Sequence, residues 1–343
     1  MTIWLTLIAF VVGVVWFLYE KSRRRSHPVS GGVDRSQTLP HQAPFELYSN
    51  SFSHCSRKTR LAMDELKIDY QYHPIDLIET GWYQTISPQY LKVNPSGLLP
   101  TLVHEGHPVY ESDDILSYAQ SAAGMDAPKL VPQDPGLKAT MDKWLAFCAI
   151  ESGNPMGSMA SKAGACIPGL TMPLFITAIR YIPLHRIMVG FLFHSDKQRP
   201  AFFSGAKLLG LRTLMSIKPL RRVVHSSRDH MCRHLLTLNE QLAITEGRWI
   251  LGENYSLADI SIGCLLLRLE ETGWLIYFEK TLKIDELRDY YHKLKARPNW
   301  QTAIVNHGHP IIEQAKLDLA DMTARDPELY QRVYTGEIHG GVT

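Results

Sequence analysis

An uncharged apolar run opens the chain. Residues 2–19, TIWLTLIAFVVGVVWFLY, contain no Asp, Glu, Lys or Arg. Eighteen helical residues would span about 27 Å, close to the hydrocarbon thickness of a bilayer. Four cations follow it, Lys21, Arg23, Arg24 and Arg25, and the positive-inside rule then places the rest of the chain in the cytoplasm. We therefore predict that residues 1–25 form a single-pass transmembrane anchor with its basic flank. A cleaved signal peptide fits less well, because the charges follow the apolar run and no small-residue cleavage site is evident.

The next segment loses all apolar periodicity. Residues 26–43, SHPVSGGVDRSQTLPHQA, are rich in Ser, Gly and Pro. Such a composition is typical of flexible connections. We predict a flexible linker over 26–43.

Residues 44–124 alternate between short strand-like runs and amphipathic helical stretches. FELYS and YQYHPIDL are strand-like, and LPTLVHEG and HPVYES predict two strands joined by a tight turn. Helices are predicted from Cys55 to Leu66 and, with Ser112 as a capping residue, over SDDILSYAQSAAG. GWYQTISPQYLKV predicts a short helical stretch between the second and third strands. The order β-α-β-α-β-β-α predicts an α/β, thioredoxin-like domain.

Helical patterns dominate the remainder. Residues 137–315 predict an all-helical domain, and YSLADI carries a capping-box variant at Ser256 and Asp259. Within this domain, residues 153–225 form a long apolar and basic insertion whose prolines and charges argue against a second membrane span. Two compatible interpretations of the insertion remain. Its helices could cover a cleft, or its basic and apolar residues could lie on an anionic lipid surface. Residues 316–343 are predicted as a C-terminal tail.

Charge and composition narrow the function classes. The net charge of +2 argues against general nucleic-acid binding, which needs a basic excess. The five cysteines are scattered and contain no CxxC pair, so a disulfide framework is not expected and a reducing compartment fits better. The fifteen histidines include no HExxH, and we expect no metal site.

Cys55 is the candidate for chemistry. It follows a polar turn and stands at a predicted helix start, beside Arg57 and Lys58. Helix N–H groups and nearby cations stabilise a thiolate, so this position predicts a reactive cysteine of lowered pKa. A buried, inert cysteine is the alternative.

Two motifs resemble the glutathione-binding pair of the cytosolic glutathione transferases. They are NPSGLLPTL at 94–102 and VYESDDILSY at 109–118. The pattern of Ser53, Cys55, Ser56 and Arg60 resembles the zeta class, the maleylacetoacetate isomerases. The longer match, FSHCSRKTRLAMDELKIDYQYHPIDL, is most similar to the bacterial tetrachlorohydroquinone reductive dehalogenases, which are related to that class. The resemblance covers 45 to about 120 well and 230–305 moderately, and it fails at the anchor and the insertion.

This resemblance implies the glutathione transferase fold and roles for particular residues. It implies a cis bond before Pro100, with the Leu99 backbone pairing to the cysteinyl part of glutathione, and a γ-glutamyl site at Glu111 and Ser112. Ser53 or Ser56 would stabilise the glutathione thiolate. In the dehalogenase type, the cysteine, here Cys55, then attacks the sulfur of the ring-bound glutathione.

Two function classes follow. The first is a membrane-anchored enzyme that uses glutathione as cosubstrate on a hydrophobic electrophile, by reductive dehalogenation, thiol transfer or cis–trans isomerisation. The second is a noncatalytic transferase-like adaptor at a membrane. Expected partners are glutathione, an apolar electrophile and membrane lipid, with no nucleic acid; a homodimer stays open. The second substrate is not readable from the sequence.

Overall fold

A five-stranded sheet organises the N-terminal part of the computed structural model, which describes residues 2–151 and 153–336. Its strands are β1 (Gly32–Val33), β2 (Phe45–Ser49), β3 (Gln71–Pro74), β4 (Thr101–His104) and β5 (His107–Tyr110). Their order is β1-β5-β4-β2-β3, in which β2 and β3 are parallel and the other pairs antiparallel. The helices of this part are α2 (His54–Glu65), α3 (Tyr90–Val93) and α4 (Ser112–Ala122). The predicted thioredoxin-like order is confirmed.

The prediction of a flexible linker over residues 26–43 is wrong. Residues predicted to be flexible contain β1, which pairs Gly32 with Tyr110 and Val33 with Val109 along the free edge of β5. Backbone bonds from Asp34 to the Pro108 carbonyl (2.8 Å) and from Leu39 to the Gly106 carbonyl (2.7 Å) continue this contact. The free edge of β5 holds this segment, because an edge strand offers unpaired N–H and C=O groups for pairing. The sequence pattern of the segment itself does not reveal this contact.

The helix α1 (Thr2–Arg23) precedes the linker. Within the described residues, the stretch Ile3–Arg23 is the one unbroken helix long and apolar enough to cross a membrane. A bent pair, Gly164–Tyr181 and Leu184–Phe193, passes the same test only when its two arms, 114° apart, are counted together. The apolar side chains of α1 face outward, with Ile3 82% and Trp4 70% exposed.

Eleven further helices follow within the described part of the chain. They are α5 (Pro135–Cys148), α6 (Ile167–Ala178), α7 (Leu184–Phe193), α8 (Gln198–Ser216), α9 (Lys218–Ile244), α10 (Leu257–Glu271), α11 (Trp274–Thr281), α12 (Asp285–Lys295), α13 (Pro298–Ala303), α14 (Pro310–Arg325) and α15 (Pro327–Tyr330). The capping box at Ser256 and Asp259 begins α10, as predicted. The core of this region centres on α10, which is buried along almost its whole length.

The predicted tail is wrong over most of its length. Residues 316–336 belong to the helical region, because α14 packs on α6 and the Tyr334 hydroxyl donates to the Thr272 carbonyl at 2.8 Å. Residues 337–343 of that prediction lie outside the described residues. The insertion also folds into the domain: α6 packs against α8, α9, α10 and α14, and it is buried on most sides.

Candidate active site

A fixed turn places the residues at the start of α2. The Asn50 Oδ1 atom accepts hydrogen bonds from the backbone N–H groups of Phe52 (2.9 Å) and Ser53 (3.1 Å). Ser53 is the N-cap residue, and its Oγ accepts from the Ser56 N–H at 3.3 Å. Serine is favoured here because its oxygen satisfies a free N–H of the first turn. The turn and the cap together hold Ser53 and Cys55 in place.

A cavity of about 470 Å³ lies between this turn and the helical region. Ser53, His54 and Cys55 line it on one side. The insertion lines the other side, through residues of α6 and α8. The full lining is Phe52, Ser53, His54, Cys55, Leu77, Glu79, Ile150, Pro155, Met156, Ile167, Pro168, Thr171, Met172, Phe175, Gln198, Arg199, Phe202, Phe203 and Arg268. Of the two interpretations of the insertion, the structure therefore supports a cover over the cleft.

The two candidate serines are separated by the fold. Ser56 is fully buried, and its Oγ accepts a hydrogen bond from the Asn50 N–H at 3.2 Å. Ser56 is not among the residues that line the cavity, whereas Ser53 is. Ser53 is therefore the better placed of the two, because the Ser56 hydroxyl serves the junction between β2 and α2; the catalytic roles of both stay predictions.

The expected lowering of the Cys55 pKa is also contradicted. Burial raises the pKa of the Cys55 thiol above its ordinary value, and the opposing effects of Lys58 and a hydrogen bond with Ser112 do not reverse this. Cys55 is nevertheless only partly buried, and it lines the cavity. Cys55 therefore borders the cavity with a pKa that favours the neutral thiol, and its catalytic role stays a prediction.

The cations next to Cys55 in sequence are already paired. The Arg57 guanidinium donates to both carboxylate oxygens of Glu271 at 2.7 Å, and Lys58 is buried against Asp113. Arg60 donates to the Asn50 carbonyl at 2.9 Å and, across the domain boundary, to the Ala303 carbonyl at 3.0 Å. These ion pairs and hydrogen bonds tie the start of α2 to its neighbours. Of the three cations, Lys58 still lowers the pKa of Cys55, but by less than burial raises it.

The second group of predicted residues lies beside the first. The Leu99–Pro100 bond is cis, as the resemblance implied. Asn94 supports this turn through its side-chain amide, which donates to the Leu98 carbonyl at 3.1 Å and to Thr101 Oγ1 at 2.9 Å. The binding roles of Leu99 and Pro100 stay predictions.

Glu111 and Ser112 form the start of α4. Glu111 has φ 61°, in the left-handed region, and Ser112 follows it as the first helical residue. Ser112 lowers the pKa of Cys55 and Glu111 raises it, so the two predicted groups are neighbours in the fold. Free N–H groups and the positive end of the helix dipole suit a carboxylate at this point. The roles of Glu111 and Ser112 in binding glutathione stay predictions.

The linker runs across the same surface. The His27 N–H donates to the Pro95 carbonyl at 2.7 Å, at the loop that leads to Leu99. Four residues later, Gly31 lies so close to Asp114 that a Cβ atom there would collide with its carboxylate. The linker therefore borders both the Leu99–Pro100 turn and the start of α4.

Sequence reasoning missed three polar residues of the cavity. His54, Glu79 and Arg268 are buried, and each has a side-chain atom without a hydrogen-bond partner among the described residues. Arg268 interrupts the apolar run CLLLRLEE of the core helix, which is a signal that could have identified it. Over residues 2–151 and 153–336, no group of three or more His, Cys, Asp and Glu is arranged to hold a metal ion.

Comparison with known proteins confirms the predicted resemblance to the glutathione transferases. Residues 52–122 match the family model described as the glutathione S-transferase N-terminal domain. The tetrachloro-p-hydroquinone reductive dehalogenase of Sphingobium chlorophenolicum is 26% identical over 270 residues, which cover 76% of this chain and 95% of that protein. A probable maleylacetoacetate isomerase of Drosophila melanogaster is 36% identical over 93 residues, 27% of this chain and only 37% of that protein's length.

Solved structures show the fold. A β-etherase from Sphingobium sp. strain SYK-6 superposes with a TM-score of 0.61 at 18% identity, covering 77% of this chain and 100% of that one. A delta-class glutathione transferase of Nilaparvata lugens gives a TM-score of 0.52 at 21% identity, covering 80% of this chain and 100% of that one. The chain therefore carries a glutathione S-transferase N-terminal domain and has the glutathione transferase fold, with zeta-class enzymes and a reductive dehalogenase among its relatives in sequence.

Proposed function

We propose that this protein is a membrane-anchored, glutathione-dependent enzyme that acts on an apolar electrophile. The observation that carries the proposal is the position of Ser53 and Cys55 on one wall of the same cavity, with Ser112 near enough to lower the pKa of Cys55. Apolar residues of the insertion form much of the opposite wall. A noncatalytic adaptor would not need a thiol and a capping hydroxyl that face a cavity of this size.

Glutathione would supply the nucleophilic sulfur. Ser112 and the N–H groups at the start of α4 would hold its γ-glutamyl carboxylate, and the Leu99 backbone its cysteinyl amide. Ser53 would donate a hydrogen bond to the glutathione thiolate and so favour the charged form. Ser53 is preferred over Ser56 because only Ser53 lines the cavity.

Reductive dehalogenation is the reaction we propose for this arrangement. The glutathione sulfur replaces halide on the ring, and Cys55 then attacks that sulfur, forming a disulfide while the ring carbon takes a proton. A second glutathione attacks the mixed disulfide, restores the Cys55 thiol and leaves as glutathione disulfide. Two glutathione molecules are thereby oxidised, and the carbon–halogen bond is reduced to carbon–hydrogen with release of halide and a proton.

A glutathione-dependent cis–trans isomerase is the second candidate. The raised pKa of Cys55 favours it, because such a reaction needs Ser53 and glutathione but no cysteine thiolate. The two candidate reactions differ in one product: dehalogenation leaves glutathione bound to Cys55 as a mixed disulfide, and isomerisation does not.

Product analysis tests the proposal with tetrachlorohydroquinone and a maleyl compound as the two substrates. We expect the wild-type protein to carry glutathione on Cys55 after one turnover with the chlorinated ring, and Cys55→Ser to release a glutathionyl conjugate in place of the reduced product. Ser53→Ala should slow the first step about 10²-fold or more, while the matched control Ser56→Ala should not. Isomerisation of the maleyl compound with full activity in Cys55→Ser would select the second candidate, and no glutathione-dependent conversion by any variant would favour the adaptor.

The membrane anchor in this proposal rests on α1 and not on the cavity. Exposed apolar side chains along α1, such as Phe10 at 68%, are costly in water and suit lipid. The end of α1 rests on α7, where the Phe17 and Phe193 rings lie 5.8 Å apart and Arg24 covers Phe193. We expect the full chain to remain with membranes after alkaline carbonate washing and a chain that begins at Ser26 to be released. Release of the full chain would contradict the anchor, and a mature N-terminus near residue 30 would identify a signal peptide.

A further inference from the structure

Arg268 is a buried cation in the wall of the cavity. Its side chain extends from α10 and lies over the Phe52 ring, with Cζ 3.7 Å from the ring centroid, and the residue is 2% exposed. Its Nη2 donates to the Phe52 carbonyl. Its Nε and Nη1 have no hydrogen-bond partner within the described residues. A buried guanidinium with unused N–H groups is costly, because these donors have lost water and gained nothing in return.

The positive charge of Arg268 is also not balanced. Glu271 is the nearest acid, but its Oε2 lies 3.6 Å from Arg268 Nη1, and Arg57 already binds both of its oxygens at 2.7 Å. Two buried arginines therefore share one carboxylate. The other acid of the cavity, Glu79, pairs with Arg199 at 2.6 Å. One net positive charge is left on this wall. Burial lowers the pKa of Arg268 to about 9 in spite of Glu271, which agrees with incomplete compensation.

Two neighbours place further unpartnered polar atoms on the same wall. His54 Nε2 and Glu79 Oε2 are buried without partners among the described residues, and both residues line the cavity. Burial and the cations Lys58, Arg268 and Arg57 hold the pKa of His54 well below its ordinary value, so its ring is neutral and adds no charge. The rest of the lining is mainly apolar and includes Phe175, Phe202 and Phe203.

We propose that Arg268 binds an anionic oxygen, a carboxylate or a phenolate, on an otherwise apolar second substrate. The oxygen accepts hydrogen bonds from Arg268 Nε and Nη1, and the phenylalanines of α6 and α8 enclose the apolar body. The reacting carbon then lies on the side of Ser53 and Cys55. This inference names the substrate class of the site described under the proposed function and rests on that function for the reaction, but the binding of the anion is measurable without it.

Matched ligands of nearly equal size test the anion site. We would measure the dissociation constants of 3,5-dinitrobenzoate, 2,4-dinitrophenolate and neutral 1,3-dinitrobenzene by titration calorimetry at pH 7, with the full chain in detergent. The wild-type protein should bind at least one of the anions about tenfold more tightly than the neutral ligand, as expected for a charge-assisted bond. The two anions distinguish the carboxylate from the phenolate. A wild-type protein with no preference for either anion would overturn the proposal without any variant.

Two substitutions locate the preference. In Arg268→Gln, the anion should lose about tenfold in affinity, while the neutral ligand changes less than twofold. Arg268→Lys keeps the charge and should retain most of the preference, and it serves if the glutamine variant does not fold. An equal loss for anion and neutral ligand would make Arg268 a structural support of Phe52 and overturn the proposal, as would an unchanged preference in Arg268→Gln.

A second pair of compounds distinguishes this inference from the proposed function. They are the electrophiles 4-chloro-3,5-dinitrobenzoate and 1-chloro-2,4-dinitrobenzene, each offered with glutathione. We expect kcat/KM for the anionic electrophile to fall about tenfold in Arg268→Gln, mainly through KM, with little change for the neutral one. If the wild-type protein prefers the anions in calorimetry but converts no electrophile, the proposed function fails and the anion site stands.

Discussion

At the scale of single residues, the surroundings of Cys55 show why nearness in sequence does not fix a pKa. Arg57, Lys58 and Arg60 follow Cys55 within five positions, and the sequence pattern therefore predicts a stabilised thiolate. In the folded protein these side chains point to Glu271, to Asp113 and to backbone carbonyls. Burial of the thiol is then the larger effect, and it favours the neutral form.

Alkylation of Cys55 should consequently need alkaline conditions. A raised pKa means that less thiolate exists at pH 7 than in a free cysteine, so the rate with iodoacetamide should still be rising above pH 9. Ser112→Ala should move the profile to still higher pH, because the hydrogen bond from Ser112 lowers the pKa. Peptide mass spectrometry is needed as the readout, since Cys232 is also partly exposed.

Cys232 supplies the internal control for that experiment. Burial raises its pKa to about 11, and Ser112 has no part in this. Its profile should therefore be the same in the wild-type protein and in Ser112→Ala. Rapid modification of Cys55 at pH 6 to 7 would show that the thiolate is stabilised after all.

At the scale of the elements, the sequence was informative wherever local signals decide the structure. The predicted capping box at Ser256 begins α10, and the alternation in LPTLV and HPVYE corresponds to β4 and β5. The predicted cap at Ser112 is wrong by one position, because Glu111 is the N-cap residue of α4 and Ser112 is its first helical residue. The strand β1 could not be found in this way, because Gly32 and Val33 carry no strand pattern and are extended only by pairing with β5. Similarly, the separation of Ser53 from Ser56 depends on the Asn50 turn, a contact between elements.

Two truncated proteins test whether the β1 segment supports the glutathione site. One begins at Ser26 and keeps β1; the other begins at Ser36 and lacks it together with the bond from His27 to Pro95. We expect the longer one to keep the affinity of the full chain for glutathione. The shorter one should bind about fivefold more weakly, the equivalent of one lost hydrogen bond of about 1 kcal/mol.

The comparison of the two truncated proteins removes the anchor from consideration, since both lack α1. Titration calorimetry with glutathione gives the dissociation constants, and circular dichroism checks that both are folded. Equal affinities would mean that the β1 segment borders the site without supporting it. A higher affinity of the shorter protein would mean that the segment obstructs glutathione.

At the scale of the whole molecule, one buried and one partly buried ion pair connect the thioredoxin-like part to the helical part. Arg57 binds Glu271, which lies 214 residues further along the chain, and Arg297 pairs with Glu65 at 2.6 Å. No periodicity in the sequence indicates which carboxylate will meet which arginine over such separations. The predictable part of this fold is therefore the local elements and the motif residues, and the unpredictable part is the polar contacts between the two regions, including the environment of Arg268.

Glu271 should be the most sensitive of these contacts. Glu271→Gln leaves Arg57 and Arg268 buried without a carboxylate, and loss of one member of a buried pair costs about 3–5 kcal/mol. The exposed pair of Lys138 and Asp142, 2.7 Å apart, is the matched control, and Asp142→Asn should cost less than about 1 kcal/mol. Urea unfolding at pH 7 gives both free energies. Equal, small losses in the two variants would show that the buried pair does not hold the regions together.

The same carboxylate should make stability depend on pH in acid. Burial alone would raise the pKa of Glu271, but Arg57 and Arg268 outweigh it, so the folded pKa lies below the unfolded value of about 4.3. A carboxyl shifted in this direction stabilises the fold fully above its unfolded pKa, and this stabilisation is lost as pH falls through the folded pKa. The free energy of unfolding of the wild-type protein should therefore fall below about pH 4.5. In Glu271→Gln, which has no proton to bind at this position, the fall should be smaller. Parallel curves for the two proteins between pH 3 and 7 would assign the acid sensitivity to other carboxylates and contradict the lowered pKa of Glu271.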